Sequence, residues 1–507
     1  MRAKGLFFHY IGTGRRMQRQ AIAVRSFFVY NIFEKQTDQE GKHEPMTDNR
    51  KPDRQTNTIR EDARIYTLGR EKPAKAVVKM GVPLVAGMFI MVLYNLVDTF
   101  FIGLLRDDYQ LAAVNLAYPV MMITIAVSNM VGTGASTLIA RCLGENDPEK
   151  AERTLTTGFV LTVLTGAVLA AAGLLLLHPI VRMLGAKENT FLYTQQYVGI
   201  LLAGTIFTMA NYTFSQLLRG EGSARYSIFG MVVGTVMNIL LDPLFIFAFG
   251  LEIRGAAIAT VLGNACGMGV TLWVYLSGKS LLRPKRQYLR PAADITGEIY
   301  RVGVPAGLET LLTSAAFIVN NNLAVAYGEL TVAAMGIAQK LLSLGNYIYQ
   351  GFAAGVQPIM GYNYGAKNFR RMLAVLKSGI LIVCGIELCV MSLYGVFAPL
   401  LIGIFTDSPE VVATGARVLR ALMCILPFVG VTSMCRMSFQ AMGRPMSALG
   451  ITILRQLVLY IPLLLLFNHL FGFTGLIWTQ PFTEAVMMAV SCTFLVRTIR
   501  AAELTGR

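Results

Sequence analysis

Twelve apolar stretches, each of about 20–28 residues, follow one another from about residue 77 to the C-terminus, with short polar connections between them. A helix rises about 1.5 Å per residue, so about 20 residues cross the ~30 Å hydrocarbon core of a bilayer. Lipid offers no hydrogen-bond partners, so each crossing segment must satisfy its own backbone groups. No alternating strands of about 10 residues appear, which leaves helices rather than a barrel. The reading is an all-α polytopic membrane protein with twelve transmembrane helices. Their approximate limits are 77–103, 111–138, 154–177, 193–217, 226–250 and 255–277, then 299–327, 332–358, 372–398, 411–435, 446–468 and 473–496. Composition agrees: 54% of residues are hydrophobic and 15% charged, against about a quarter charged in soluble domains.

The net charge of +16 would suggest nucleic acid on a soluble chain. Here it follows the positive-inside rule. Connections after even-numbered spans, with the C-terminus, carry 18 Lys or Arg, among them Arg141, Arg219, Lys279, Arg371 and Arg444, against 4 (Arg106, Arg182, Lys187, Arg254) after odd-numbered spans. Both termini are therefore expected in the cytoplasm, in a multi-pass cytoplasmic membrane protein. The expected domains are a polar, basic and disordered cytoplasmic tail at 1–75, a first lobe at 76–278 holding spans 1–6, and a basic linker at 279–298. A second lobe at 299–497 holds spans 7–12, and 498–507 is a cytoplasmic C-terminus. The start of the chain has too short an apolar core for a signal peptide, and Met46 is an alternative translation start. The seven cysteines have no metal-ligand spacing and the four histidines are scattered.

The two lobes repeat one another. Gly81-Val82-Pro83 recurs as Gly303-Val304-Pro305, Gly144 matches Gly365, Gly222 matches Gly443, and Gly255 matches Gly475, at offsets falling from 222 to 220. Six spans per repeat is an even number, so the halves share orientation and form two six-helix bundles related by a pseudo-twofold axis along the membrane normal. Such repeats place substrate between the lobes and work by alternating access.

Ionisable groups within spans cost a few kcal/mol each and mark function or pairing. Asp98 lies in the first span and Asp242 in the fifth, with Asn238 one turn earlier on the same face. An oxygen cage of this kind suits a hard cation, and a buried carboxylate could equally carry a proton. The second repeat has Asn320, Val458 and Pro462 at these positions. The acidic set is thus confined to the first lobe, which points to cation coupling there rather than to architecture. Tyr94, Glu309, Asn320, Asn321, Gln339 and Gln357 are weaker candidates for lining a cavity, with Glu309 and Lys340 an alternative structural pair. Glu387, Arg455 and Glu484 read as packing partners. Pro83 is positioned to kink the first span and reposition Asp98. Gly230 with Gly234, and Gly263 with Gly267, fit close helix packing. Enzyme motifs are absent: Gly278-Lys279-Ser280 lacks the upstream glycine of a phosphate loop, where Trp273 stands instead. No cofactor is expected.

Several stretches together carry a family resemblance. They are Gly81-Val82-Pro83, Tyr94-Asn95-Leu96-Val97-Asp98 and Gly255-Ala256-Ala257-Ile258-Ala259-Thr260. In the second half they are Gln357-Pro358-Ile359-Met360-Gly361-Tyr362-Asn363-Tyr364-Gly365-Ala366-Lys367 and Phe405-Thr406-Asp407-Ser408-Pro409-Glu410. Over residues 70–500 the chain resembles the multidrug and toxic compound extrusion family. The resemblance implies a monomeric antiporter driven by Na+ or H+, exporting cationic or amphipathic drugs from a V-shaped pair of bundles. In the branch that couples through the first lobe, the matching positions are Asp98, Asn238, Asp242 and Thr260. The expected mechanism is competitive, with the ion neutralising the site and releasing the drug. A lipid-linked oligosaccharide flippase of related fold is the alternative, and a non-transporting scaffold gives no reason for an acidic set in one repeat alone.

Overall fold

The computed structural model describes residues 63–105 and 107–505. Most of the 1–75 tail, with Met46, lies outside them, as do the side chains of Tyr94, Asp98 and Asn321. Every regular element among the described residues is helical. Spans 1, 2 and 3 are Pro73–Gly103, Asp108–Gly144 and Pro148–Leu175. Span 4 is bent by 50° between Glu188–Ala203 and Thr205–Gly220. Span 5, Ala224–Pro243, continues in a wide π turn, Leu244–Ala248, and span 6 is Glu252–Leu276. Spans 7, 8 and 9 are Ala293–Val325, Glu329–Gly365 and Phe369–Gly403. Span 10 joins Pro409–Met423 to Leu426–Ala441. Span 11 opens as Pro445–Ile453 with a π turn at Leu454–Tyr460. The last helix, Ile461–Thr505, breaks at Gly472 (φ 56°, ψ −137°), where span 11 ends and span 12 begins. Twelve crossings therefore stand among the described residues. Span 8 carries Gln339, Lys340, Asn346 and Gln357 and is the less apolar for it.

Glycine decides where helices touch. A Cβ on Gly234 would lie 2.9 Å from Gly263 O, and one on Gly263 2.7 Å from Gly234 O. Spans 5 and 6 thus meet backbone to backbone along the two glycine pairs. Between the lobes, a Cβ on Gly355 would lie 2.8 Å from Gly81 N, and one on Gly351 2.7 Å from Val85 N. Gly307 of span 7 lies against Ala126 O of span 2. Gly144 abuts Tyr362 O while its repeat partner Gly365 abuts Arg141 O, so the crossing follows the internal symmetry. These approaches all fall in the halves of spans 1, 2, 7 and 8 nearest the termini. Span 1 runs unbroken through Pro83, so the helix is not interrupted there.

Residues 63–69 form a further short helix at this end, where the sequence alone suggested disorder up to residue 75. Leu68 is fully buried, worth about 1.5–3 kcal/mol, and packs over Gly222, whose φ of 85° only glycine adopts freely. Asn363 and Arg371 donate to Leu68 O at 2.8 and 3.3 Å. Arg64 donates to Lys279 O and faces Glu221 at 3.8 Å. The helix therefore bridges the ends of both lobes. No periodic apolar face announces it, because its partners are tertiary.

Candidate functional site

The glycine contact between spans 5 and 6 sets the first lobe's site. With those helices so close, Asn238 Nδ2 donates to Asp242 Oδ1 at 3.3 Å and to Thr260 Oγ1 at 3.4 Å. Asp242 is 0% exposed, Asn238 3% and Thr260 5%. Three of the four expected coupling residues thus form one buried cluster. Asp98 lies on the helical backbone of span 1, with its side chain outside the described set.

Two residues that the sequence reading missed complete the cluster. Asn211 of span 4 donates to Asn264 Oδ1 at 3.1 Å, and Asn264 donates to Thr260 O at 2.9 Å. Their signal was available: both are amides inside apolar spans. The Oδ1 atoms of Asn238 and Asn211 are buried and meet no hydrogen-bond donor among the described residues. These carbonyls, the Asp242 carboxylate and the Thr260 hydroxyl offer oxygen to a hard cation. Asn211, Asn238, Thr260 and Asn264 line a cavity of about 70 Å³ with Met91, Tyr212 and Met231, and Asp242 reaches its edge through Asn238. The π turn after Pro243 widens span 5 beside Asp242, as such turns do at functional positions.

The second lobe is built differently. Glu309 pairs with Arg436 and also accepts from Gln440 Nε2 at 2.9 Å. Gln440 in turn accepts from Gln357 Nε2 at 3.1 Å. Glu309 and Gln357 therefore belong to a network inside the lobe, with Arg436 and not Lys340 as the acid's partner. Neither lines a described cavity. Asn320 and Gln339 do line one, of about 230 Å³. Arg455 Nη1 meets Glu484 Oε1 at 3.1 Å in its wall, a pairing that the sequence reading did not specify.

The MatE family model matches residues 83–244 and again residues 305–466, the same interval displaced by 222 residues and well over half the chain. The chain belongs to the MatE family. MATE proteins are transporters, not enzymes, and the double match restates the internal repeat. The multidrug export protein MepA of Staphylococcus aureus (strain NCTC 8325 / PS 47) is 28% identical over 448 residues, covering 87% of this chain and 99% of the relative. MepA of Staphylococcus saprophyticus matches equally, 28% over 448 residues with the same coverage. Among solved structures, MATE in complex with MaL6 superposes with TM-score 0.82 at 30% identity, covering 86% of this chain and 98% of that one. An outward-facing multidrug resistance MATE transporter gives the same TM-score, identity and coverage. A MOP superfamily transporter from Pyrococcus furiosus gives TM-score 0.81, again at 30% identity, with 86% and 98% covered. The all-α fold of two related six-helix bundles is thus shared with known membrane transporters.

Proposed function

We propose that this MATE protein is a multidrug antiporter, driven by Na+ or H+, that exports cationic or amphipathic compounds by alternating access. Coupling runs through Asp98, Asn238, Asp242 and Thr260, with Asn211 and Asn264 holding the cluster in shape. The observation that carries the reading is the buried oxygen cluster between spans 4, 5 and 6, whose acid, Asp242, is replaced by Pro462 in the second repeat. A carboxylate enclosed this fully is stable when a cation or proton compensates its charge. Binding and release of that ion then change the energy of the packing around span 1. The export activity named for the MepA relatives supports the same reading.

With both termini in the cytoplasm, the glycine crossings close the cytoplasmic side, which supports an outward-facing assignment. The likeness to a transporter described as outward-facing agrees. Opening inward would separate spans 1 and 8, and spans 2 and 7, along those crossings. A flippase for lipid-linked sugars would need a cationic cavity for pyrophosphate, whereas the arginine in the larger cavity is already neutralised by Glu484.

The test is efflux of a fluorescent organic cation from proteoliposomes under separate Na+ and pH gradients. Flux driven by one gradient and reduced at least tenfold in Asp98→Asn and Asp242→Asn is expected, and the effective gradient names the ion. Wild-type flux in either variant would refute first-lobe coupling.

A further inference from the structure

The two lobes offer cavities of different size and different chemistry. The first-lobe cavity, about 70 Å³, is the size of an ion with a few waters and far below the ~300–1,000 Å³ typical of drug-sized ligands. The second-lobe cavity, about 230 Å³, approaches that range. Every residue lining it comes from spans 7, 8, 10, 11 and 12, so it is separate from the oxygen cluster.

Its walls are those of a ligand site. Leu422, Val418 and Leu476 supply apolar surface, and the rings of Tyr349 and Tyr460 supply aromatic faces. Amides from three spans, Gln339, Asn346, Gln456 and Gln480, project polar groups from the same walls. Into this space face the two halves of an ion pair. Arg455 Nη1 meets Glu484 Oε1, but Glu484 Oε2 is buried and has no hydrogen-bond partner among the described residues, in a residue only 3% exposed. The π turn Leu454–Tyr460 carries Arg455, Gln456 and Tyr460 in the cavity wall together; Gln456 and Tyr460, four apart, would share a face of a regular helix, and the wider turn brings Arg455 closer to that face.

We infer that the second-lobe cavity is a substrate site for amphipathic zwitterions, whose ammonium meets the free oxygen of Glu484 and whose carboxylate meets Arg455. The charge arithmetic selects this class. The cavity wall already balances one carboxylate against one guanidinium. A monocation entering it leaves a net buried charge, whereas a zwitterion presents one partner to each wall group and adds none. The inference rests on the antiporter reading and refines it, because ion and substrate then occupy different lobes. Exchange proceeds through the shared lobe movement rather than by the direct displacement expected from sequence. A coupling free energy between two sites takes the place of competition for one.

The experiment measures fluorescence anisotropy of two dyes on the purified full chain. Rhodamine 110 carries a carboxylate and is zwitterionic; rhodamine 123 is its methyl ester and a monocation. Rhodamine 110 is expected to bind at least tenfold more tightly. Glu484→Gln is expected to weaken it tenfold or more, and so is the paired replacement Arg455→Met with Glu484→Leu. The pair guards against misfolding, since apolar replacement of a whole buried ion pair is often neutral for stability, and its thermal midpoint is measured alongside. Equal binding of the two dyes, or unchanged binding in the folded paired variant, would each overturn the proposal. Gradient-driven efflux of an organic cation, measured on the same variants, keeps the two readings apart. If it persists while the dye result fails, the antiporter stands and the second-lobe site falls.

Discussion

Replacing Gly355 by alanine tests whether the inter-lobe crossing holds one state of the transporter. The added Cβ would lie 2.8 Å from Gly81 N and 2.9 Å from both Gly81 Cα and Met80 C. All three are backbone atoms of span 1, so no side chain can swing away. Ordinary contact begins near 3.4 Å, so spans 1 and 8 must part by about 0.6 Å or more. Overpacking of this size costs about 1–3 kcal/mol. The penalty applies only while the two helices cross here, so it falls on the state closed at the terminal end. The equilibrium should move toward the state open at that end by about 5–150-fold. Spin labels at Glu149→Cys and Arg370→Cys, exposed positions in different lobes at this end, would report it in a background without the native cysteines. A longer-distance population should grow. Gly385→Ala is the control, because a Cβ there meets nothing within 4 Å. An unchanged distance distribution in Gly355→Ala, or an equal change in the control, would refute the reasoning.

Gly263→Ala acts on the ion cluster without touching a ligand atom. Its Cβ would press on Gly234 O at 2.7 Å and on Asn238 Cβ at 2.9 Å, so cation affinity should fall about tenfold, read by isothermal titration in detergent. Unaltered affinity would mean that the close approach of spans 5 and 6 does not shape the site. At the terminal end, burial raises the Glu71 carboxyl, but the Lys75 and Lys79 ammonium groups more than offset it, leaving the group below its ordinary value. A depressed carboxylate contributes stability above its unfolded pKa and loses it as pH falls through the folded one. Proteolysis within residues 63–72 should therefore accelerate below about pH 4, and Glu71→Gln should flatten that dependence. A pH profile identical in both proteins would remove Glu71 from the account.

Much of this protein was legible in the sequence because the bilayer restricts the solutions. Twelve apolar runs dictate twelve helices, since lipid leaves the backbone no other partner. The near-constant offset between glycine motifs dictates two related bundles. The confinement of Asp98 and Asp242 to one repeat gave the expectation that cation coupling belongs to the first lobe. Asn238 and Asp242 share a face by helical arithmetic alone, and the structure holds them 3.3 Å apart.

Tertiary structure decided everything that depends on which faces meet. Glu309 could have joined Lys340 or lined a cavity, and the packing of spans 7 and 10 gave it Arg436 and Gln440 instead. Arg455 and Glu484, 29 residues apart, read as packing or interfacial partners, and only the packing of spans 11 and 12 brings them to one cavity wall. Asn211 and Asn264 became part of the buried polar cluster only because span 4 packs against span 6. The helix at 63–69 has too few residues to be stable alone and exists through contacts with residues up to 304 positions away. Periodicity along a chain reports which side of a helix is apolar, but it carries no information about the identity of the helix opposite. In this protein, glycine contacts below the reach of a single methyl group make that choice.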